Sequence, residues 1–400
     1  MLLSGTWAAC ARIRLLLVFA AACVALLGSV QRPALHNERE FDLVIFGATG
    51  YVGSLLTASL LGVREPFLSV PQSERLNSGV AGVRFALAGR NPAKLRRLIE
   101  RYSAAGVDVS GVGIIVANMS DAASLDRLAQ RSRVVLTTVR QEPEKDVSTV
   151  GSFGEDTLIR RCIEHGTSLL DLDGFWLADE ALARDVDAAA RATGAAYSPA
   201  CGEVAVLPDM ITYRAWDHLG RPQLRRSTVQ HLYYNGMDAP GEEAHSLWEA
   251  YDAPVMHWSA KALGYGASFA FAELSQTNGA HERYMLNRRE AVRRVAQFVS
   301  VATVEATDGR TETAIMSGGE IDYEETARIC LEMGLSLVHG DDVPAARAGG
   351  LWTPAAGWGK ALLRRLAAIG LDARLAAPGE TAATIVRDTR ARYVAMMQEK

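Results

Sequence analysis

Phe41-Asp42-Leu43-Val44-Ile45-Phe46-Gly47-Ala48-Thr49-Gly50-Tyr51-Val52-Gly53 is the stretch from which the rest of this chain is understood. Leu43–Phe46 is a short, nearly continuous apolar run, the pattern of a strand covered on both faces. Gly47, Gly50 and Gly53 follow at once, and Tyr51–Leu61 continues with helical spacing. Strand, glycine turn and helix in that order form the context that a dinucleotide fingerprint requires. Gly47 permits a tight turn, Gly50 lets backbone approach a pyrophosphate, and Gly53 lets helix lie against strand. The helix start then offers free N–H groups and a positive dipole end to phosphates. The spacing is G-x-x-G-x-x-G, not G-x-G-x-x-G, and such a turn is sometimes only structural.

Downstream segments repeat the alternation. Gly62–Gly82 is a polar loop; Arg84–Ala88 is the second strand, followed by Gly89-Arg90-Asn91-Pro92-Ala93-Lys94. Asn91 suits an N-cap and Pro92 the first helical position. Arg90 stands where an NAD enzyme places a carboxylate for the ribose hydroxyls, with Lys94 one turn on. A guanidinium there grips a 2′-phosphate, so NADP(H) is the expected cofactor. The plainer alternative makes both residues ordinary surface charges. Gly113–Ala117 is a third strand ending at Asn118, which is placed to touch adenine or simply to turn the chain. Arg133–Val139 is a fourth strand, and its carboxyl end marks Thr137, Thr138 and Val139 as lining for the ribose or nicotinamide. Ser168–Leu172 and Ala195–Ser198 add a fifth and a sixth strand. The expected fold class is α/β, with a Rossmann-type doubly wound parallel sheet over 41–205.

After that the pattern changes. Ser227–Tyr234 and Val299–Thr307 alternate or run β-branched, and Asp308-Gly309 is a hairpin turn signal. A second α+β domain on a mostly antiparallel sheet is therefore expected over 206–345. C-terminal helices over 346–400 are expected to pack back on the Rossmann domain. Residues 1–40 form a separate leader: Leu15–Val30 carries no charge and no acid precedes Glu38. The expectation is a membrane anchor over 13–30, with the body in a reducing intracellular compartment and a mitochondrial or endoplasmic reticulum membrane both open. A net charge of −4 in 400 residues argues against a nucleic-acid binder. Five cysteines without C-x-x-C pairing argue against a disulfide framework, and eight histidines without an H-E-x-x-H pair against a metal.

With these segments in place the chain resembles the saccharopine dehydrogenase-like oxidoreductases, in particular their trans-acting enoyl reductase branch. Its anchors are 47–53, Leu87–Leu95, Phe153-Gly154-Glu155, Cys162–Thr167 and Asp171-Leu172-Asp173-Gly174. Further along they are Cys201-Gly202-Glu203, Glu325-Thr326-Ala327-Arg328 and Leu351-Trp352-Thr353-Pro354-Ala355. The departures are Phe175 where the family has Glu, Glu203-Val204-Ala205 where it has Phe-Asp-Ser, and Asn235–Asp238 in place of a Gly-Gly-Thr stretch. Polar groups are lost at the substrate end while the cofactor end is kept. The resemblance implies an NADP(H)-dependent oxidoreductase acting on a lipid-like enoyl or carbonyl substrate. The alternatives are a non-catalytic NADP(H)-binding regulator or scaffold and an amino-acid-adduct (saccharopine-type) dehydrogenase. A homodimer is an open partner. Candidates for the proton-handling group are Asp209, Glu203 and Tyr197, with Tyr233 or Tyr234 facing from the second domain. Each has a plainer role: a helix cap, a solvated acid, a core ring. Cys201 is expected to pack, not to act as a nucleophile.

Overall fold

The computed structural model describes residues 39–63, 77–139, 157–234, 244–246, 248–276 and 296–398. Residues 1–38 of the leader, with the 13–30 anchor, and Gln141–Thr149, Phe153–Glu155 and Asn235–Asp238 lie outside them. Among the described residues no helix is long and apolar enough to cross a membrane.

Residues 40–400 form one compact unit. Its first half runs β1 (Phe41–Phe46), α1 (Tyr51–Leu61), β2 (Phe85–Gly89), α2 (Pro92–Ala104), β3 (Gly113–Val116), α3 (Ala122–Arg131) and β4 (Ser132–Thr137). There follow α4 (Thr157–Glu164), β5 (Ser168–Asp171), α5 (Glu180–Thr193), β6 (Ala196–Ser198) and α6 (Glu203–His218). The second half runs β7 (Leu224–Tyr234), β8 (Ala244–His245), α7 (Glu249–Leu263), β9 (Ala270–Gln276), β10 (Gln297–Ala306) and β11 (Thr311–Gly318). It closes with α8 (Thr326–His339), α9 (Pro344–Ala348), β12 (Gly350–Leu351), α10 (Pro354–Ala368), β13 (Arg374–Leu375) and α11 (Ala382–Gln398).

The first sheet is seven-stranded in the order β12-β6-β5-β4-β1-β2-β3, and every pair in it is parallel. β1 is buried along its whole length, which explains the apolar run Leu43–Phe46, while its one acid, Asp42, pairs with Arg84. Strand order reverses between β1 and β4, and in open α/β sheets ligands bind outside the strands' carboxyl ends at such a point. The second sheet is six-stranded, in the order β13-β11-β10-β7-β9-β8. It is antiparallel except where β7 runs parallel to β9. Asp308-Gly309 turns β10 into β11 as its signal predicts, with Gly309 at φ 86°.

One apolar core joins the two sheets. It runs from Leu43, Ile45 and Leu136 through α8 and α10 to Ala302, Val304 and Met316. α8 is buried from Thr326 to Leu337 and lies on β1 and β4. Gly334 makes that approach possible: a Cβ there would stand 2.8 Å from Leu136 Cδ2 and 3.3 Å from Leu43 Cδ1. Gly334→Leu is therefore expected to lower unfolding free energy by about 2–3 kcal/mol, the usual cost of overpacking, measurable by denaturant titration.

β12 completes the parallel sheet beside β6; its two residues are too few to show any periodicity. α6 begins at Glu203 and runs through Pro208. One reading is corrected. The final helix does not pack back on the Rossmann layer: α11 covers the outer face of the second sheet, with Tyr393 stacked on Tyr234 at 5.2 Å. Ile385, Val386 and Tyr393 supply an apolar stripe that matches Leu232, Val299 and Val301.

Candidate active site

The turn after β1 is held by backbone. Gly47 N–H and Ala48 N–H both donate to Ala88 O, and Gly50 N–H donates to Gly47 O at 2.8 Å. Gly47 has φ 93°, and a Cβ there would meet Thr138 Oγ1 at 2.5 Å. At Gly53 a Cβ would lie 2.2 Å from Gly47 O. Thr49 and Gly50 are exposed, and no side chain caps α1 at Gly50. The turn thus keeps amides and space for a ligand that brings negative charge.

The other cofactor candidates fall along the same edge. Thr138 N–H donates to Phe46 O at 2.9 Å, which brings the end of β4 against the end of β1. Thr137 is buried, and its hydroxyl accepts from Val139 N–H at 3.3 Å, so it shapes the loop that presents Thr138 and Val139. Arg90 follows β2 and is exposed; Asn91 caps α2 by accepting from Lys94 N–H at 3.0 Å; Lys94 is exposed. Asn118 follows β3, exposed, with its side-chain oxygen turned to Ser120 N–H at 3.4 Å. Tyr51, beside the turn, meets Tyr323 edge-on at 4.8 Å.

The ends of β5 and β6 interlock further along that edge. Asp171 O accepts from Cys201 N–H, Asp173 O accepts from Ala200 N–H, and Ala200 sits at φ 55°. A Cβ on Gly174 would stand 2.6 Å from Ala200 Cβ. A non-glycine residue in the left-handed region at such a junction is local strain held by its surroundings. Tyr197 is fully buried and stacks on Trp176 at 5.7 Å, a core ring. Cys201 is buried, its Sγ 3.1 Å from Ser198 O, and burial pushes the thiol up to about 12, so packing is its role. Tyr234 faces α11, away from the first sheet, and is corrected as a site candidate. Glu203 is not a solvated acid: it is 4% exposed, and its N–H donates to Thr326 Oγ1 at 3.1 Å.

Asp209 is wholly buried within α6, and its Oδ2 accepts from Ala355 N–H at 2.7 Å. Ala355 lies in the first turn of α10, whose N-cap, Thr353, makes no side-chain cap bond. Asp209 therefore caps a helix distant in sequence. Burial raises its carboxyl to about 7 against the relief given by Ala355 N–H.

No family model matches the chain. A saccharopine dehydrogenase-like oxidoreductase of Rattus norvegicus is 34% identical over 141 residues, 34% of this chain and 28% of that protein. A trans-acting enoyl reductase of Mycobacterium ulcerans (strain Agy99) is 31% identical over 137 residues, 34% of this chain and 26% of that protein. Among solved structures, apo saccharopine dehydrogenase (L-Glu forming) from Saccharomyces cerevisiae matches at a TM-score of 0.50 with 10% identity. It covers 84% of this chain and 99% of that one. The chain is similar to the saccharopine dehydrogenase-like oxidoreductases. It matches under a third of the length of the two relatives above, and the yeast enzyme shares its fold.

Several motifs distant in sequence meet in the structure. Pro208-Asp209 joins Thr353-Pro354-Ala355 through the cap. Glu325 and Arg328 pair at 2.7 Å, both buried, and Arg328 also bonds Ile369 O. Thr326 receives the N–H of Glu203. Sequence reasoning missed a second set: Tyr251 and Asp252 on α7, Glu273 on β9 and His231 on β7. Asp252 and Glu273 are each about 1% exposed. An aspartate inside Ala250-Tyr251-Asp252-Ala253-Pro254-Val255-Met256 was the available signal, an acid in an otherwise mostly apolar stretch.

Proposed function

We infer that this chain is an NADP(H)-dependent oxidoreductase that reduces a lipid-like enoyl or carbonyl group by hydride transfer. The observation that carries this is the uncapped glycine turn at the point where strand order reverses, with two exposed cations at the end of the neighbouring strand. The residues fit the cofactor. Gly47–Gly53 leave room for a pyrophosphate, and the amides of α1 would hold it. Arg90, with Lys94, would take the 2′-phosphate. Thr138 and Val139 would line the nicotinamide ribose, and Asn118 the adenine. Bound nicotinamide supplies the hydride; the chain supplies position, exclusion of water and a proton. Loss of the family's polar residues at 203–205 supports an apolar substrate.

Arg90 is the sharpest test of cofactor choice. Arg90→Asp is expected to weaken NADPH about a hundredfold and NADH far less, as loss of a paired phosphate contact of about 3 kcal/mol requires. Nucleotide fluorescence titration measures both. Equal weakening would remove the case for phosphate recognition.

One observation favours a second reading, a non-catalytic NADP(H)-binding regulator: Asp209 and Tyr197 are committed to a helix cap and a core stack. Transfer of deuterium from stereospecifically labelled NADPH to membrane lipid extract separates the two. Transfer makes the chain an enzyme; tight binding with no transfer across enoyl and keto lipids makes it a regulator.

A further inference from the structure

We propose that Asp252 and Glu273, with His231 behind them, form a buried proton-holding pair that supplies the proton accompanying hydride transfer. This rests on the oxidoreductase reading above and names the group which that reading lacks. Asp252 lies on α7 and Glu273 on β9, so the pair bridges a helix and the second sheet. Their carboxyl groups lie within hydrogen-bonding reach of each other, yet among the described residues neither Asp252 oxygen finds a donor, and Glu273 Oε2 finds none. Two carboxylates cannot share a hydrogen bond unless one carries a proton.

The surroundings keep that proton in place. Burial pushes Asp252 well above the ordinary carboxylate range, and Glu273, Glu203 and Asp209 add to the rise with negative charge. His231 Nε2 stands 3.6 Å from Glu273 Oε1, too far for a hydrogen bond, while Nδ1 bonds Ser300 Oγ at 2.7 Å. Burial lowers the imidazole more than Glu273 raises it, so His231 stays neutral and does not cancel the acidic charge. Glu249, also on α7, is turned to Glu273 N–H and to His245. Tyr251, next to Asp252, donates to Leu172 O just beyond β5 and lies near Asp171, Asp173 and Cys201. α7, which carries Asp252, is thereby tied to the carboxyl edge of the parallel sheet, where Glu203 opens α6 after β6.

The step balances. Bound NADPH would supply the hydride to the electron-poor carbon of the acceptor and be left as NADP⁺. The enolate or alkoxide so formed would take one proton from the pair, and a proton from solvent would restore it. Raised above the ordinary carboxylate range, Asp252 keeps a proton where free carboxyls have lost theirs, which a proton store requires.

Infrared spectroscopy of the unliganded protein at about pH 8 reads the proton directly, since ordinary carboxyls are ionised there. A protonated-carboxyl stretch that shifts in D2O and vanishes in Asp252→Asn is expected, with Glu273→Gln as the second variant should the first fail to fold. No such band overturns the proposal. In activity, Asp252→Asn or Glu273→Gln should cut turnover about a hundredfold with NADPH affinity unchanged and the alkaline limb of the pH profile displaced. An unaltered profile overturns the catalytic use. A protein that keeps the band but binds no pyridine nucleotide overturns the oxidoreductase reading instead, and the proton's use goes with it.

Discussion

Gly53→Ala is expected to abolish useful dinucleotide binding and to cost about 3 kcal/mol of stability. The added Cβ would lie 2.2 Å from Gly47 O and 2.8 Å from both Gly47 C and Ala48 Cα, all backbone atoms. No side-chain rotation relieves that contact, so α1 must move away from the turn. The amides then miss the phosphates, and losing about 3 kcal/mol of charge-assisted bonds weakens binding by about a hundredfold. Gly62→Ala is the internal comparison. Gly62 ends the same helix at φ 67°, and its Cβ would meet nothing within 4 Å. That change should cost about 1 kcal/mol and leave nucleotide affinity alone. Calorimetric unfolding and nucleotide titration of both variants check the contrast; equal affinities would show that helix placement is irrelevant to the ligand.

Asp209 gives the second large effect, and its sign depends on pH. Asp209→Ala leaves Ala355 N–H without its acceptor and opens a small void, a loss of about 3 kcal/mol. Asp209→Asn keeps an acceptor and cannot ionise. Because the folded carboxyl sits at about 7 and its ordinary value is 3.8, the unfolded chain ionises first. The stability that this group contributes is present below pH 3.8 and is lost as pH rises toward 7. Three pH units correspond to about 4 kcal/mol, an upper bound on what Asp209→Asn regains at alkaline pH. Urea titrations across that range should show a flatter stability profile in Asp209→Asn than in the wild type. Parallel profiles would mean that Asp209 is ionised throughout.

The glycine turn after β1 and the start of α2 were legible in the sequence because their signals are local. Gly47, Gly50 and Gly53 follow one apolar strand, and Asn91 and Pro92 announce α2 with its cap. The parallel strands through β6 are short apolar runs between helical stretches, and covered strands always read that way. The second half was less legible, since its order comes from contacts between remote segments. α6 contains Pro208 and α7 contains Pro254, each a breaker by local rules, yet both helices are held in the shared core. β9 joins β7 in parallel, with α7 between them in sequence, and no turn signal marks such a crossover. Asp209 resembled a local cap and proved to cap α10 instead, 146 residues away at Ala355. Asp252, Glu273 and His231 come from three elements, so no spacing could have grouped them.

Titration of the purified chain with NADPH and with NADH, followed by nicotinamide fluorescence, tests the central claim most directly. Saturable NADPH binding in the micromolar range, weaker for NADH and lost in Gly53→Ala, is the result expected. Failure to hold either nucleotide at millimolar supply would contradict it.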